Sequence, residues 1–214
     1  MSYIKSSGME QFREIEHGFG TRDTPPPDGV LLMSQRHTNN VIIVEDRRLD
    51  HLPVADAMLT NVPRLSLGVK TADCLPILVY DPEVKVIGVI HAGWRGLANM
   101  VILNTIDILC EYYHARRNNM YFSIGPGICP NCYEVGDEVF EEINGRVDMG
   151  DSFKKTTGNS GLLNLVGVAY KELVTAGIPR ANLSRIDMCT KCSETLYSHR
   201  KGDAGRQISY IKLV

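Results

Sequence analysis

The chain has 214 residues, 43% hydrophobic and 22% charged, with a formal net charge of −2. That balance is ordinary for a soluble globular protein and gives no reason to expect nucleic-acid binding. The length suits one domain over residues 1–214, with a sizeable core, and is short for two.

The N-terminal stretch MSYIKSSGMEQFREIEHGF lacks the apolar h-region of a secretory signal. No apolar run reaches the length of a membrane span, so a cytoplasmic location away from membranes is expected. TPPPDG (Thr24–Gly29) is a surface loop, because three prolines forbid a helix interior. Five β-rich runs follow: VLLMS (30–34), VIIVE (41–45), RLSLGVK (64–70), CLPILVY (74–80) and VKVIGVIH (84–91). Asp-Pro in YDPEVK (Tyr80–Lys85) signals a turn that makes the last two a hairpin or neighbouring strands. Helical spacing of apolar residues predicts a long helix from about Leu97 to Tyr113. MYFSIG (120–125) reads as a strand, GPGICPNC (125–132) as a loop and VGDEVFEEI (135–143) as a short helix. LLNLVGVAYKELVTAG (Leu162–Gly177) is an amphipathic helix closed by a glycine, with Pro179 beyond it. RIDMCT (185–190) and QISYIKLV (207–214) are late strands. The pattern is mixed α/β in one domain, without clean βαβ alternation. Neither GxGxxG nor GxxxxGK[ST] is present, so nucleotide binding by those loops is unsupported.

Three metal-type ligands stand at predicted strand ends. His37 lies in SQRHTNNV, Cys74 opens CLPILVY and His91 closes VKVIGVIH. If the last two strands are antiparallel neighbours, Cys74 and His91 meet at one edge of the sheet. Cysteine and histidine together read either as a thiolate nucleophile with an imidazole base, or as two ligands of a metal with His37 as the third. Two imidazoles and a thiolate suit zinc or copper, and three protein ligands leave one position open, the catalytic arrangement. The competing reading, three separate core or surface residues, is weakened by their shared placement beside polar, non-strand segments.

Six cysteines in a reducing compartment favour metal ligation or catalysis over disulfides. Cys110, on the apolar face of the long helix, reads as core. Cys129-Pro-Asn-Cys132 and Cys189-Thr-Lys-Cys192 could close a structural zinc site, but 56 residues separate the pairs. That gap exceeds compact zinc-ribbon spacing and argues against a shared site.

TADCLPI, HAGWRG, GPGICPNCYEVG and CT...YSHR..DAGRQ, with EHGFGTRD and ADAMLT upstream, resemble the YfiH-type family over about His17–Gln207. That family is also called laccase-domain or polyphenol oxidase, purine nucleoside phosphorylase and peptidoglycan editing factor. The resemblance implies a layered α/β sandwich of mixed sheets with flanking helices, like the catalytic domain of cytotoxic necrotizing factors. It implies a metal, usually zinc with copper as the alternative, on His37, Cys74 and His91. His37 sits in Gln-Arg-His-Thr rather than the usual Gln-Val-His-Gly. The implied activity is phosphorolysis of adenosine, inosine and methylthioadenosine, with adenosine deamination. The alternatives are a Cys–His amide hydrolase editing peptidoglycan precursors and a copper polyphenol oxidase. Only six histidines, with no HxH pair, argue against a multicopper site.

For those reactions Cys74, His91 and Asp73 are the catalytic candidates, with Asp73 as proton shuttle or as a loop residue capping nearby amides. Arg22 and Arg95 are the candidates for phosphate, with Arg200 and Arg206 behind them. Trp94 could stack on a purine or pack as core. Gly93 and Gly96 are read as letting the backbone turn sharply after His91. The expected partners are a small-molecule nucleoside and phosphate, and the chain is expected to be a monomer or homodimer.

Overall fold

The computed structural model describes residues 2–46 and 52–214. In chain order come α1 (Ser7–Glu10), β1 (Ile15–Gly18), β2 (Val41–Ile43), β3 (Ala57–Thr60), β4 (Ser66–Thr71), β5 (Leu75–Asp81) and β6 (Val86–Ala92). Then follow α2 (Trp94–Ala98), α3 (Val101–Tyr113), β7 (Tyr121–Ile124), β8 (Glu134–Gly136), α4 (Asp137–Asn144) and β9 (Phe153–Lys155). The last elements are β10 (Ser160–Leu163), α5 (Leu165–Thr175), β11 (Leu183–Arg185) and β12 (Gln207–Leu213). A six-stranded sheet has the order β11-β7-β5-β6-β3-β2, and two three-stranded sheets are ordered β1-β12-β4 and β8-β10-β9. The large sheet is mixed, with β11/β7 and β2/β3 parallel and the other pairs antiparallel.

Every residue of β5 and β6 is buried. Alternate side chains serve different layers. Ile77, Val79 and Ile90 pack with Ile106 of α3 and Leu173 of α5, whereas Leu78, Tyr80, Ile87 and Val89 pack with Leu67, Val69 and Ile211 of the β4/β12 sheet. The result is the expected layered sandwich: helices, a mixed sheet, then a second sheet. A strand covered on both faces has no polar side to show, so both segments read as unbroken apolar runs. Burying each Ile or Leu contributes roughly 1.5–3 kcal/mol.

The hairpin of β5 and β6 forms as the Asp-Pro turn predicted. Asp81 Oδ1 accepts the backbone N–H groups of Glu83 (2.8 Å) and Val84 (3.3 Å), which closes the turn. Elsewhere the boundaries differ from expectation. The long helix is two: α2 starts at Trp94, and Met100, with φ of 59°, breaks the ladder before α3. Leu162 and Leu163 belong to β10 rather than to the following helix, which Asn164 caps by accepting the Gly167 N–H at 2.9 Å. Gly177 does end that helix region in a left-handed conformation, φ 88°. The run 30–34 forms only isolated bridges, Leu31 with Leu67 and Ser34 with Val54. Within 185–190 only Arg185 lies in a strand, at the end of β11.

Candidate metal centre and its cleft

In the β5/β6 register Leu75 faces Ala92 and Pro76 faces His91. Cys74 therefore sits one residue before the start of β5, at the sheet edge where β6 ends. The loop before β2 brings His37 to the same edge. Ligand atoms of His37, Cys74 and His91 all lie within 4.8 Å of one another. The two imidazole centroids are 4.8 Å apart, with planes inclined by 54°.

Asp56, just before β3, organises this edge and is fully buried. One oxygen pairs with His91 Nδ1 at 2.8 Å and accepts the His37 N–H at 3.0 Å. The other accepts the Thr38 N–H (2.7 Å), the Thr38 hydroxyl (2.8 Å) and the Arg36 N–H (3.2 Å). Burial opposes the Asp56 charge, but these donors outweigh it and hold its pKa well below the usual carboxylate range. An ionised carboxylate only accepts, so Nδ1 carries a proton and Nε2 is the nitrogen a metal would take, displacing any proton there. For His91 itself, burial disfavours the cation, but Asp56 and Cys74 hold its pKa up at about 9. His37 shifts the other way: burial lowers it, reinforced by His91 and Arg95.

Gly93 makes room for the cluster. A Cβ there would lie 2.8 Å from Cys74 Sγ and 3.0 Å from His37 Nδ1. Its φ of −85° is open to any residue, so it is space rather than conformational freedom that requires glycine. Gly96 lies within α2, and its Cβ would stand 3.3 Å from the His91 carbonyl. The reading of both as sharp-turn glycines is thus corrected.

The donor set fits a metal. Two imidazoles and a thiol converge, one imidazole is oriented by a carboxylate, and the cluster lines a cleft of about 740 Å³. Arg36, Lys70, Arg95, Arg200 and Arg206 line the same cleft, and Asp73 is the one carboxylate among the described residues that line it. Arg95 lies over the Trp94 ring at 4.3 Å and makes no ion pair among the described residues. Trp94 is half-buried and lines the cleft while its far side packs on the core. Arg200 donates to the Glu134 carbonyl at 2.9 Å and lies over Tyr133. Burial pushes the Tyr133 hydroxyl up to about 12.

Two candidates are already engaged by other residues. Arg22 lies outside the cleft lining: its guanidinium pairs with Asp203, donates to the Leu196 carbonyl at 2.9 Å and covers Tyr197. Asp73 lines the cleft, but one of its oxygens accepts the Thr190 hydroxyl at 2.6 Å and the other the Arg200 N–H at 2.7 Å. Its φ of 86° marks a left-handed turn that this pairing holds, the amide-capping alternative weighed for it.

The two CxxC pairs do come together. All four sulfurs lie within 4.8 Å of one another, so distance along the chain was a poor guide. The parallel pairing of β7 with β11 sends both following loops to the same end of the sheet, where Gly127 bridges to Cys189. Cys110 is half-buried against the core, as read.

A layered α/β sandwich with a three-ligand cluster in a basic cleft defines a metalloenzyme-type site. The chain belongs to the multi-copper polyphenol oxidoreductase laccase family, whose model matches residues 13–214. It is 30% identical over 181 residues to an adenosine deaminase from an unknown prokaryotic organism, covering 79% of this chain and 68% of that protein. It is 27% identical over 210 residues to a purine nucleoside phosphorylase of Clostridium acetobutylicum, covering 95% and 83%. Among solved structures, the hypothetical protein YfiH of Bacillus licheniformis aligns with a TM-score of 0.88 and 25% identity, over 96% of this chain and 95% of that one. YlmD of Geobacillus stearothermophilus aligns with a TM-score of 0.89 over 99% and 98%; at 22% identity it supports the fold alone.

Proposed function

We propose that this chain is a zinc-dependent purine nucleoside phosphorylase that also deaminates adenosine, with His37, Cys74 and His91 holding the metal. One observation carries the reading: the three-residue cluster opens into a basic cleft that Arg95, without an ion pair among the described residues, also lines. The names of the two relatives support the reaction classes. When bound, zinc supplies Lewis acidity at the cleft floor. Asp56 fixes the His91 tautomer and ring orientation. Arg95 offers a two-point contact to phosphate, held in place by Trp94. Trp94 also lines the cleft as an apolar surface for a base. Asp73 positions the Cys74 turn through Thr190 and Arg200. Phosphorolysis converts adenosine and phosphate into adenine and ribose 1-phosphate; deamination converts adenosine and water into inosine and ammonia. The six unpaired thiols suit the reducing conditions of a cytoplasm.

The test is incubation of zinc-loaded protein with adenosine, with and without phosphate. Phosphate-dependent adenine and phosphate-independent inosine are expected. Absence of both, with inosine and methylthioadenosine also unconverted, overturns the reading. The contact between Cys74 and His91 favours a second reading, a Cys–His amide hydrolase. Amidase activity in metal-free protein, abolished by thiol alkylation, would mark it. Phenol oxidation by copper-loaded protein instead of nucleoside turnover would move the assignment to an oxidase.

A further inference from the structure

The second cysteine cluster lies apart from the cleft chemistry. We propose that Cys129, Cys132, Cys189 and Cys192 bind one zinc ion as a closed, structural tetrathiolate site. Their sulfurs all lie within 4.8 Å of one another, with Cys132 Sγ and Cys192 Sγ 3.4 Å apart. The pairs close different backbone turns, with the Cys132 N–H on the Cys129 carbonyl (3.0 Å) and the Ser193 N–H on the Cys189 carbonyl (3.0 Å), but in each the second cysteine's amide is directed at the first one's sulfur. Across the pairs, the Cys129 N–H reaches Cys189 Sγ at 3.3 Å. Amide donors aimed at sulfur stabilise thiolates, which is the form a metal needs. Each thiol would give up its proton on binding.

Four soft sulfur donors select zinc over harder cations, and a filled tetrahedron leaves no position for substrate. A disulfide is the competing use of these residues. It would consume Cys132 and Cys192 and leave the convergence of Cys129 and Cys189 unexplained. The ion has a definite mechanical task. It would tie the loop after β7 to the loop after β11. Thr190, inside the second CxxC turn, hydrogen-bonds the Gly127 carbonyl and the Asp73 carboxylate. Tyr133, which follows Cys132 directly, lines the cleft. Zinc here would therefore clamp one wall of the cleft.

The experiment is elemental analysis of the full chain, purified without chelator, as wild type, Cys74→Ala, Cys192→Ser and the double variant. Two zinc ions are expected in wild type, one in each single variant and none in the double. Cobalt substituted into Cys74→Ala should give the strong visible bands and sulfur-to-cobalt charge transfer of a tetrathiolate. Folded Cys74→Ala without metal overturns the proposal, as does Cys192→Ser retaining the wild-type content. A Cys132–Cys192 disulfide, seen as loss of two hydrogens in the intact mass, overturns it too, and iron in place of zinc overturns the choice of metal. If Cys192→Ser fails to fold, the cobalt spectrum of Cys74→Ala decides alone. Loss of the catalytic metal reading would instead show as Cys74→Ala keeping the full wild-type content.

Discussion

An alanine methyl at position 93 would stand 2.8 Å from one ligand and 3.0 Å from another. Overpacking of this kind costs about 1–3 kcal/mol, and here the atoms that must yield are the ligands themselves. Gly93→Ala is expected to weaken metal affinity by about ten- to a hundred-fold, at roughly 1.4 kcal/mol per decade, with melting temperature changed little. Competition with a metallochromic indicator measures this; unchanged affinity would mean that the three residues share no ion. Arg95 supports a separate expectation. A charge-assisted contact to phosphate, weakened by exposure, contributes about 1–2 kcal/mol. Arg95→Ala should lower phosphorolysis by roughly five- to thirty-fold. Deamination should be nearly unchanged, since water is its nucleophile, and lysine should rescue only in part. Equal loss in both reactions, with a lower melting temperature, would make Arg95 a brace for Trp94. The convergence of His37, Cys74 and His91 was legible because each stands beside an apolar run, next to polar residues. Asp56 was not singled out, because a buried carboxylate within ADAMLT carries no local mark of its partners, His91 and Thr38, which the fold brings from other segments. For Arg22 the missing information is of the same kind: only the fold reveals that Asp203 engages it and that it is not among the residues lining the cleft.

Among the elements, strands buried on both faces were read well, since long apolar runs bounded by turns have few other homes. What the sequence did not disclose was set by tertiary pairing. β1 and β3 are four residues each, and β8, β9 and β10 form a small sheet whose members hold three or four. Such short segments carry too little periodicity to stand out. The break at Met100 is also tertiary: Asn99 spans to the His37 carbonyl and accepts from Arg146, re-aiming the chain between α2 and α3. The packing of α3 on α5 contains one costly feature. Glu172 of α5 is buried; one oxygen accepts the Leu103 N–H at 3.1 Å and the other has no hydrogen-bond partner among the described residues. Burial raises its pKa from 4.5 to about 7, against the opposing Leu103 bond. Arg117 and Arg146 line the same small cleft but are engaged by Asp107 and by Asn99. Between pH 4.5 and 7 the folded chain therefore holds a proton that the unfolded chain has released, so stability falls as pH rises through that window and the full penalty stands above it. The penalty is about 3–4 kcal/mol at most. Glu172→Gln keeps the acceptor for Leu103 and removes the charge. Urea unfolding should show it stabilised relative to wild type at pH 8 and little changed at pH 5. An equal difference at both values would show that Glu172 carries no such charge penalty.

At the scale of the whole molecule, charge is unevenly distributed. The chain carries a net −2, yet among the described residues the cleft gathers Arg36, Lys70, Arg95, Arg200 and Arg206 against one carboxylate, Asp73. Arg200 and Arg206 donate to backbone carbonyls and make no ion pair among the described residues, although the Glu134 carboxylate lies within the field of Arg200. Asp73 is held by Thr190 and by the Arg200 backbone. A concave wall of one sign concentrates its field, which favours an anionic substrate over a neutral one. The two proposed reactions differ in this respect, because phosphorolysis needs phosphate and deamination needs only a neutral nucleoside and water. Raising ionic strength from about 0.01 to 0.15 M shortens the Debye length from roughly 30 to 8 Å, which spans the scale of such a cleft. The KM for phosphate is therefore expected to rise by about three- to ten-fold over that range, while the KM for adenosine in deamination stays nearly constant. Potassium chloride and potassium gluconate at equal ionic strength separate screening from competition. Equal effects mean that the field guides phosphate, whereas an effect of chloride alone means that the anion occupies the site itself. A phosphate KM indifferent to both salts would show that the basic residues of the cleft do not act together on the incoming anion, leaving phosphate to a single short-range contact.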